Sequence, residues 1–310
     1  MPKTVLITGW TGNVGAAALP RLRKRHPDWH LIGVGRTSPQ RETMPDVVEV
    51  ADLGEETALA SVFSRHPIDL VLHIAHISFT PRILRLCDAN QVTDAVCVHT
   101  TGMYSKYEAY SGGYKRIEAG LQEEPPLFTR YTILRPTMIY GNMGPTRDQN
   151  LHKLIGHLSQ ARFFPLFGAG QGKMQPIHVE DLADALVACV EDPRTRGKAY
   201  EVSGGTILTY RQLLQTVCAQ LGRCPRFVTI PSGVAVLLAE AYEKVSAHPR
   251  ITREQVVRLS EDKAFSHEEA ARDFGFAPRT FADGIAQEIA QMRRDGWITT
   301  NTDNVQKAAA

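Results

Sequence analysis

The chain has 310 residues and a net charge of +2, with 43% hydrophobic and 22% charged residues. This composition is typical of a globular protein with one large or two smaller domains. The small net charge argues against nucleic acid or a membrane as a partner.

The five cysteines are odd in number and share no C-x-x-C spacing. We therefore expect no disulfide framework, no zinc or other metal site, and a reducing cytoplasmic location. The first residues lead directly into a strand without an apolar leader, and no apolar run reaches the ~18 residues that a transmembrane helix needs.

The first predicted element is a strand that leads into a glycine-rich turn. Residues 4–15 read TVLITGWTGNVG, in which the apolar run 5–7 is typical of a strand buried on both faces. Gly9 lets the chain turn out of the strand, Gly12 lets backbone approach a pyrophosphate, and Gly15 lets the next helix pack closely. Strand, glycines and helix in this order predict a dinucleotide-binding turn whose helix N-terminus offers N–H groups to phosphate. The predicted cofactor contacts here are Gly9, Thr11, Gly12, Asn13, Val14 and Gly15.

This glycine spacing resembles that of the extended or atypical branch of the short-chain dehydrogenase/reductase superfamily, which includes the NAD-dependent epimerase/dehydratase family. Strands that alternate with helices predict an α/β fold with a doubly wound parallel sheet, the Rossmann fold, and a smaller C-terminal substrate lobe. We assign residues 1–140 and 176–203 to the dinucleotide-binding domain and residues 141–175 and 204–298 to the substrate lobe. Residues 299–310 are predicted to form a disordered tail.

The second predicted strand ends where dinucleotide folds place the residue that distinguishes NAD(H) from NADP(H). In such folds an acidic side chain at this point accepts hydrogen bonds from the adenosine ribose. Here Gly35 takes that place, and Arg36, Thr37 and Ser38 follow. A guanidinium with two hydroxyls suits a 2′-phosphate, so we predict that NADP(H) is favoured over NAD(H). The alternative is that Arg36 stacks on adenine or faces solvent.

The resemblance implies further cofactor contacts at the ends of later strands. Asp52 and Leu53 follow the predicted strand 47–50 and match the family's acid–hydrophobic pair that contacts adenine. His76 follows the predicted strand 68–74, and we expect it to have a positional role, because a metal would need further ligands at suitable spacing. The other cofactor contacts that the resemblance implies are Ile74, Ala75, Pro136 and Met138.

The fifth predicted strand, residues 95–99, leads into Thr100, Thr101 and Tyr104. In extended members of the superfamily, a serine or threonine four residues before a tyrosine helps to bind the reacting oxygen. The resemblance therefore implies this role for Thr100, with Thr101 as the neighbouring alternative.

The next predicted helix departs from the family pattern. The family has Tyr-x-x-x-Lys, in which the lysine binds the nicotinamide ribose and favours the phenolate of the tyrosine. Lys115 is present and is assigned to the cofactor, but Ser111 stands four residues before it and is too short to replace a tyrosine.

The proton donor is therefore sought among nearby tyrosines. Gly112 and Gly113 weaken a helix at this point. A helix that begins only near Tyr114 would leave Tyr110 ahead of it and able to turn toward the cofactor. We rank Tyr110 first and Tyr104 second as the acid. The alternative is that these tyrosines only form the wall of the site and no tyrosine acid exists. The predicted catalytic set is Thr100, Tyr110, Tyr104 and Lys115.

The residue four positions before His178 bears on the substrate. In sugar-nucleotide enzymes of the family an arginine commonly holds the diphosphate there, and here Met174 takes its place. This argues against a nucleoside-diphosphate sugar as substrate, unless Lys173 or Arg147 replaces the arginine.

Three classes of function remain open. The first, which we favour, is an NADP(H)-dependent oxidoreductase that transfers hydride between the cofactor and a small carbonyl or alcohol. The second is a nucleotide-sugar epimerase or dehydratase, and the third is a non-catalytic NADP(H)-binding sensor or scaffold. The expected partners are a small-molecule substrate and a second copy of the chain. Ile117 and Leu121 either form a two-fold dimer interface or face the sheet.

Overall fold

The computed structural model describes residues 2–37, 43–141, 150–246 and 252–298. The predictions for Ser38, Arg147 and residues 299–310 lie outside these ranges. The strands are β1 Thr4–Thr8, β2 His30–Gly35, β3 Val47–Val50, β4 Leu70–His73, β5 Asp94–Val98, β6 Arg130–Pro136, β7 Ile139–Tyr140, β8 Phe163–Phe167, β9 Lys173–Met174, β10 Ile177–His178, β11 Ala199–Val202, β12 Leu208–Thr209 and β13 Arg226–Ile230. The α-helices are α1 Asn13–Arg25, α2 Glu56–Arg65, α3 Thr80–Ala89, α4 Glu108–Glu123, α5 Asn150–Gln160, α6 Val179–Glu191, α7 Tyr210–Leu221, α8 Ser232–Val245, α9 Arg253–Arg258, α10 Glu268–Phe274 and α11 Phe281–Arg294. None of the helices in the described ranges is long and apolar enough to span a membrane.

Seven strands form one sheet in the order β3-β2-β1-β4-β5-β6-β11. Every neighbouring pair in this sheet is parallel. The chain builds outward from β1 in one direction and then crosses over to β4 and builds in the other. This confirms the predicted doubly wound α/β fold, and it makes the carboxyl ends of β1 and β4 the switch point where such sheets bind ligands.

The central strand β1 is buried on both faces, as its apolar run predicts. Val5 and Leu6 are fully buried and Ile7 is 1% exposed. Val5 and Ile7 pack with α1 and α6 on one face of the sheet, whereas Leu6 packs with α2, α3 and α4 on the other. Because consecutive side chains point to opposite faces of a strand, three adjacent apolar residues anchor both helical layers.

The C-terminal part of the chain has a hydrophobic core of its own. Helices α5, α7 and α11 pack around buried side chains that include Tyr140 and Phe281. The segment that follows α9 returns to the main sheet, where the Glu261 carboxylate accepts hydrogen bonds from the Ser105 hydroxyl at 2.8 Å and the Lys106 N–H at 3.0 Å. This contact holds the C-terminal segment against the carboxyl edge of the sheet.

Helix α4 begins at Glu108 and continues through both glycines to Glu123. The alternative in which the helix begins only near Tyr114 is therefore wrong, although Gly112 and Gly113 do lie inside it. Each glycine costs a helix about 1 kcal/mol relative to alanine. Packing on the sheet holds the helix nevertheless, because Leu121 is buried with Leu6, α2 and α3 on one face of the sheet. A Cβ at Gly112 would lie 2.3 Å from Glu108 Oε1, so this glycine makes room for that side chain.

The buried position of Leu121 also bears on the predicted dimer. Leu121 is 5% exposed and faces the sheet, so only Ile117 of the two proposed interface residues is partly accessible on α4. The homodimer itself stays a prediction.

Gly33 in β2 packs against Trp10 of the glycine turn, so a substitution at Gly33 tests whether this packing stabilises the fold. A Cβ at Gly33 would lie 2.6 Å from Pro45 Cγ and 2.8 Å from Trp10 Cδ1. Trp10 is fully buried. We expect Gly33→Ala to lower the free energy of unfolding by about 1–3 kcal/mol, because the fully packed indole has to move. The measurement is urea unfolding followed by circular dichroism.

The matched control is Gly120→Ala in α4, where an added Cβ has no atom within 4 Å. This change should raise the free energy of unfolding by up to about 1 kcal/mol, since alanine is the better helix former. Equal effects of the two substitutions would show that Trp10 does not require Gly33.

Candidate functional site

The turn between β1 and α1 is built by close backbone contacts. Gly9 has a φ of +73°, and a Cβ there would lie 2.7 Å from the backbone nitrogen of Ala75. A Cβ at Gly15 would lie 2.4 Å from the carbonyl oxygen of Gly9. Gly12 caps α1 without a side-chain hydrogen bond, and the first turn carries no acidic residue. The helix N-terminus is thus free of competing carboxylates, which suits a phosphate.

A groove of about 330 Å³ lies beside this turn, and we call it the glycine-loop groove. It is formed at the carboxyl ends of β1, β2 and β4 and at the turn after β3. Seven of the predicted cofactor residues line it together with Gly35, namely Gly9, Thr11, Arg36, Asp52, Leu53, Ala75 and His76. Thr37 is exposed just beyond Arg36. The structure therefore brings together segments that are far apart in sequence into one continuous wall.

The groove fits the adenosine end of a dinucleotide. Gly35 leaves the end of β2 without a carboxylate, and Arg36 is the charged side chain beside it. Asp52 Oδ1 accepts the N–H of Gly54 at 2.8 Å, which fixes the carboxylate at the edge of the groove. Three other predicted contacts lie around the turn rather than in the groove. The Asn13 amide donates to the Gly141 carbonyl oxygen at 2.5 Å. Val14 and Ile74 pack against the core that β1 forms with α1 and α6.

A second cavity of about 550 Å³ opens at the carboxyl ends of β5 and β6, and we call it the tyrosine cavity. The sheet side is lined by Thr100, Thr101, Gly102, Tyr104, Tyr110, Pro136 and Met138. The opposite side is lined by Met174, Arg258, Glu261, Asp262, Lys263 and Phe265. The predicted catalytic residues Thr100, Tyr104 and Tyr110 thus share one cavity that is closed by the C-terminal part of the chain.

Tyr110 and Thr100 converge on Gly102. A Cβ at Gly102 would lie 2.9 Å from the Tyr110 hydroxyl oxygen and 3.1 Å from Thr100 Oγ1. The Thr100 hydroxyl also accepts the N–H of Gly102 at 3.0 Å, which fixes its position. The Thr100 hydroxyl, just after β5, and the Tyr110 hydroxyl, in α4, therefore both lie beside Gly102 in the wall of the tyrosine cavity.

Lys115 lies apart from both cavities. Its ammonium group pairs with Glu108 Oε2 at 3.1 Å, and 42% of its side chain is exposed. Ser111, four residues earlier, is fully buried and donates to the carbonyl oxygen of Tyr107. In a regular helix Tyr110 and Lys115 are five residues apart and point in different directions. The structure therefore does not bring Lys115 together with Tyr110.

Tyr104 is held in a network of charged groups. Its hydroxyl donates to Glu201 Oε1 at 2.5 Å and accepts from Arg135 Nη1 at 3.1 Å. Burial and the hydrogen bond to Glu201 raise the pKa of Tyr104 to about 12. A phenol that already donates to a carboxylate is a poor proton donor to a substrate, so the geometry favours Tyr110 over Tyr104.

Arg135 is the centre of this network. Its Nη2 lies 2.5 Å from Glu118 Oε2, and its Nη1 lies 2.9 Å from Glu201 Oε1. His99 Nδ1 lies 2.9 Å from Glu118 Oε1. Burial raises the pKa of Glu118, but the hydrogen bonds from His99 and Arg135 outweigh it and lower the pKa overall. The network joins β5, β6, β11 and α4 directly beneath the tyrosine cavity.

The sequence-based predictions missed the residues that reach the cavity from the C-terminal side. Arg258, Lys263 and Phe265 come from α9 and the segment after it. No spacing in the sequence links this stretch to the strands at the other side of the cavity. Its only signal is a local concentration of charges in RLSEDK at residues 258–263.

A family model described as "NAD dependent epimerase/dehydratase family" matches residues 5–113 and 120–203, more than half of the chain. The chain belongs to this family. The resemblance to the extended short-chain dehydrogenase/reductase superfamily is thereby confirmed, and so is a nicotinamide dinucleotide as the cofactor class. The match includes the glycine turn, the strands that form both cavities and helix α6.

Individual relatives differ in activity. The mitochondrial NADH dehydrogenase (ubiquinone) 1 alpha subcomplex subunit 9 of Arabidopsis thaliana is 33% identical over 109 residues, which are 35% of this chain and 26% of that relative. The dTDP-glucose 4,6-dehydratase 1 of Escherichia coli (strain K12) is 23% identical and covers 98% of this chain and 96% of its own. The first match spans about a quarter of that relative, so it carries no conclusion about the whole protein.

Solved structures show the same fold. The crystal structure of gox2253 has a TM-score of 0.77 at 19% identity and covers 96% of this chain and 100% of its own. The UDP-glucose 4-epimerase of Thermotoga maritima, solved with UDP-glucose, has a TM-score of 0.72 at 15% identity and covers 94% and 99%. At these identities the likeness concerns the architecture alone.

His73 at the end of β4 is a buried titratable group next to the site, and its protonation should make the free energy of unfolding depend on pH. His73 is fully buried, and its Nδ1 lies 2.7 Å from Thr8 Oγ1. Burial, together with the nearby His99, lowers the pKa of His73 from 6.5 to about 3. The ring is therefore neutral in the folded protein and gains a proton on unfolding at any pH between these values. The free energy of unfolding should fall as the pH drops below 6.5, by at most about 1.4 kcal/mol per pH unit from this group.

We expect His73→Asn to reduce that slope between pH 6 and pH 4.5, measured by urea unfolding at several pH values. Other depressed histidines, such as His178 with a pKa of about 4, act equally in both proteins. Parallel curves for the parent and His73→Asn would show that His73 does not couple to unfolding in this way.

Proposed function

We propose that the chain is an oxidoreductase that transfers hydride between NADP(H) and a small carbonyl or alcohol. The observation that carries this proposal is the pair of hydroxyls from Tyr110 and Thr100 beside Gly102, inside a cavity of about 550 Å³. This cavity adjoins the sheet edge that holds the glycine-loop groove. The Met174 side chain on its far wall supplies no charge for a diphosphate.

The residues of this chain have distinct roles in such a reaction. The glycine turn and the N-terminus of α1 bind the phosphates of the cofactor, which supplies or accepts a hydride when bound. The Thr100 hydroxyl donates a hydrogen bond to the carbonyl oxygen, and the Tyr110 hydroxyl gives that oxygen its proton as the carbonyl becomes an alcohol. Met138, Met174 and Phe265 exclude water from the apolar side of the cavity.

The preference for NADP(H) is supported by the charge at the end of β2. Gly35 provides no carboxylate to bind a ribose hydroxyl or repel a phosphate, and Arg36 lines the same part of the groove. The family is described as NAD dependent, so this preference is a property we propose for this chain.

Changing Arg36→Ala tests the preference. We expect NADPH affinity to fall by roughly 1.5–3 kcal/mol, the scale of a hydrogen bond to a charged group, while NADH affinity changes much less. Isothermal titration with each cofactor measures this directly. Equal losses for NADPH and NADH would remove the assignment of Arg36 to a 2′-phosphate.

Tyr110→Phe and Tyr104→Phe separate the two candidate acids. We expect Tyr110→Phe to lower kcat by about 100- to 10,000-fold, the usual contribution of a general acid. Tyr104→Phe should lower kcat far less, because its hydroxyl serves Glu201 and Arg135. The assay is NADPH oxidation with a panel of small aldehydes and ketones. If Tyr110→Phe turns over at the parent rate, Tyr110 is not the proton donor.

A nucleotide-sugar epimerase or dehydratase is the second candidate. Arg258 and Lys263 both line the tyrosine cavity and present two cations to it, and the dehydratase relative matches nearly the whole chain. This function requires that the dinucleotide remains bound through the catalytic cycle. Turnover of UDP-glucose or dTDP-glucose without net change of NADPH would support it over the oxidoreductase.

A non-catalytic sensor or scaffold is the third candidate. It is favoured by the position of Lys115 outside both cavities and by the partial match to a subunit of NADH dehydrogenase. Saturable NADPH binding with no turnover of carbonyl compounds or nucleotide sugars would support it.

A further inference from the structure

One face of α4 points toward the ligand cavities, and it carries two tyrosines. Tyr110 and Tyr114 are four residues apart, with ring centroids 5.6 Å apart and planes at 80°. The Tyr114 ring lies 6.5 Å from the ring of His76, which lines the glycine-loop groove. This face therefore carries the pattern Tyr-x-x-x-Tyr, one residue out of step with Ser111 and Lys115, with Tyr110 in the wall of the tyrosine cavity and Tyr114 next to His76 of the groove.

Tyr114 occupies the place of the family lysine on this face but supplies no positive charge. Burial, followed by the neighbouring Tyr110, raises the pKa of the Tyr114 phenol, so its hydroxyl stays neutral. It can exchange hydrogen bonds with a ribose, as the lysine would, but it supplies no positive charge to a phenolate at Tyr110. A cation for that purpose has to come from elsewhere.

Arg258 reaches Tyr110 from the opposite wall. Its guanidinium carbon lies 3.2 Å from the centroid of the Tyr110 ring. The nearest acidic oxygens that pair with it, on Glu254 and Glu261, are at 3.8 and 3.7 Å. The Nε of Arg258 is buried and makes no hydrogen bond to any described residue. The guanidinium is thus stacked on the phenol with only loose carboxylate pairing.

We infer that Arg258 is the cation that acts on Tyr110 in place of the family lysine, and that Tyr114 takes over the lysine's contact with the cofactor. This inference rests on the proposed function, since it assigns a positioning and electrostatic role in the same proton transfer. The cation therefore belongs to the C-terminal part of the chain rather than to the helix that carries the acid.

The chemistry follows from the stacked geometry. When bound, the reduced dinucleotide would supply a hydride to the carbonyl carbon. The Tyr110 O–H bond breaks, and its proton moves to the carbonyl oxygen to complete the alcohol. Negative charge is left on the phenol ring and oxygen, directly beneath the guanidinium, and is stabilised by it in a partly desolvated site. A proton from the bulk solvent then returns to the phenolate, so that the overall reduction consumes one hydride and one proton.

The kinetic test compares Arg258→Met, Arg258→Lys and Arg253→Met. Met removes the charge at similar length, and Arg253 is the matched control, an arginine of the same helix that pairs with Glu240 and is 58% exposed. We expect Arg258→Met to lower kcat about 10-fold or more, with the KM for NADPH within twofold of the parent. Arg258→Lys should recover part of the loss, and Arg253→Met should match the parent.

Chemical rescue distinguishes a charge effect from damage to the structure. Millimolar guanidinium should restore part of the kcat of Arg258→Ala and should not stimulate Tyr110→Phe. An unchanged kcat in Arg258→Met, or a loss in Arg258→Ala that guanidinium does not restore, would overturn the role of Arg258.

Two further measurements do not depend on turnover. With 3-fluorotyrosine in the protein, the fluorine signal that Tyr110→Phe removes should shift in Arg258→Met and stay in place in Arg253→Met.

NADPH binding should weaken about tenfold in Tyr114→Ala and by less than twofold in Lys115→Ala. An unmoved fluorine signal, or a larger loss from Lys115→Ala than from Tyr114→Ala, would overturn the inference. A parent protein that turns over no carbonyl overturns the proposed function, while these two measurements still decide where Arg258 and Tyr114 act.

Discussion

The contact between the glycine turn and the end of β4 is the constraint on which the glycine-loop groove depends. A Cβ at Gly9 would lie 2.7 Å from the backbone nitrogen of Ala75, so the two backbones touch without side chains between them. This approach closes the glycine-loop groove on one side, and the N-terminus of α1 follows directly after the turn. Trp10, which follows Gly9, is buried against Gly33 of β2 and holds the turn in place. Backbone contacts and a buried side chain therefore determine the shape of the glycine-loop groove.

The tyrosine cavity depends on a different kind of interaction. Arg135 joins Glu118, Glu201 and Tyr104 beneath it, and His99 completes the pairing of Glu118. Buried ions that are fully paired add little stability over apolar residues, but removal of one partner leaves an uncompensated charge and costs several kcal/mol. The value of such a network is geometric, since it fixes the strands, the Thr100 turn and α4 relative to one another. The Tyr104 hydroxyl belongs to this network, whereas the Tyr110 ring lies in the cavity wall against the Arg258 guanidinium.

The fold could be predicted in large part, because its main signals are local. The apolar run at β1 and the glycines after it determine a strand, a turn and a helix by sterics and burial alone, and Gly9, Arg36, Asp52 and His76 come together because parallel strands end at one edge. The continuity of α4 could not be predicted, because the intrinsic cost of Gly112 and Gly113 is outweighed by packing on a sheet that is distant in sequence. The position of Tyr110 could not be predicted for the same reason. A helix that begins only near Tyr114 would place Tyr110 ahead of it, whereas Tyr110 lies in the first turn of α4.

The two sites differ in how much of the chain builds them, and this difference limits what a sequence can reveal about function. The glycine-loop groove is formed entirely by residues 9–79, in segments that follow the regular order of strands and helices. The tyrosine cavity takes one wall from residues 99–139 and the other from residues 174–175 and 258–265. Glu261 connects these walls through Ser105 and Lys106, a contact with no periodic signal in the sequence. The cofactor class is therefore predictable from a local motif. The substrate and the proton donor are not, because the side chains of the tyrosine cavity come from parts of the chain that are distant in sequence. A family that keeps one cofactor site can therefore vary its reactions by changing the C-terminal wall of its second cavity.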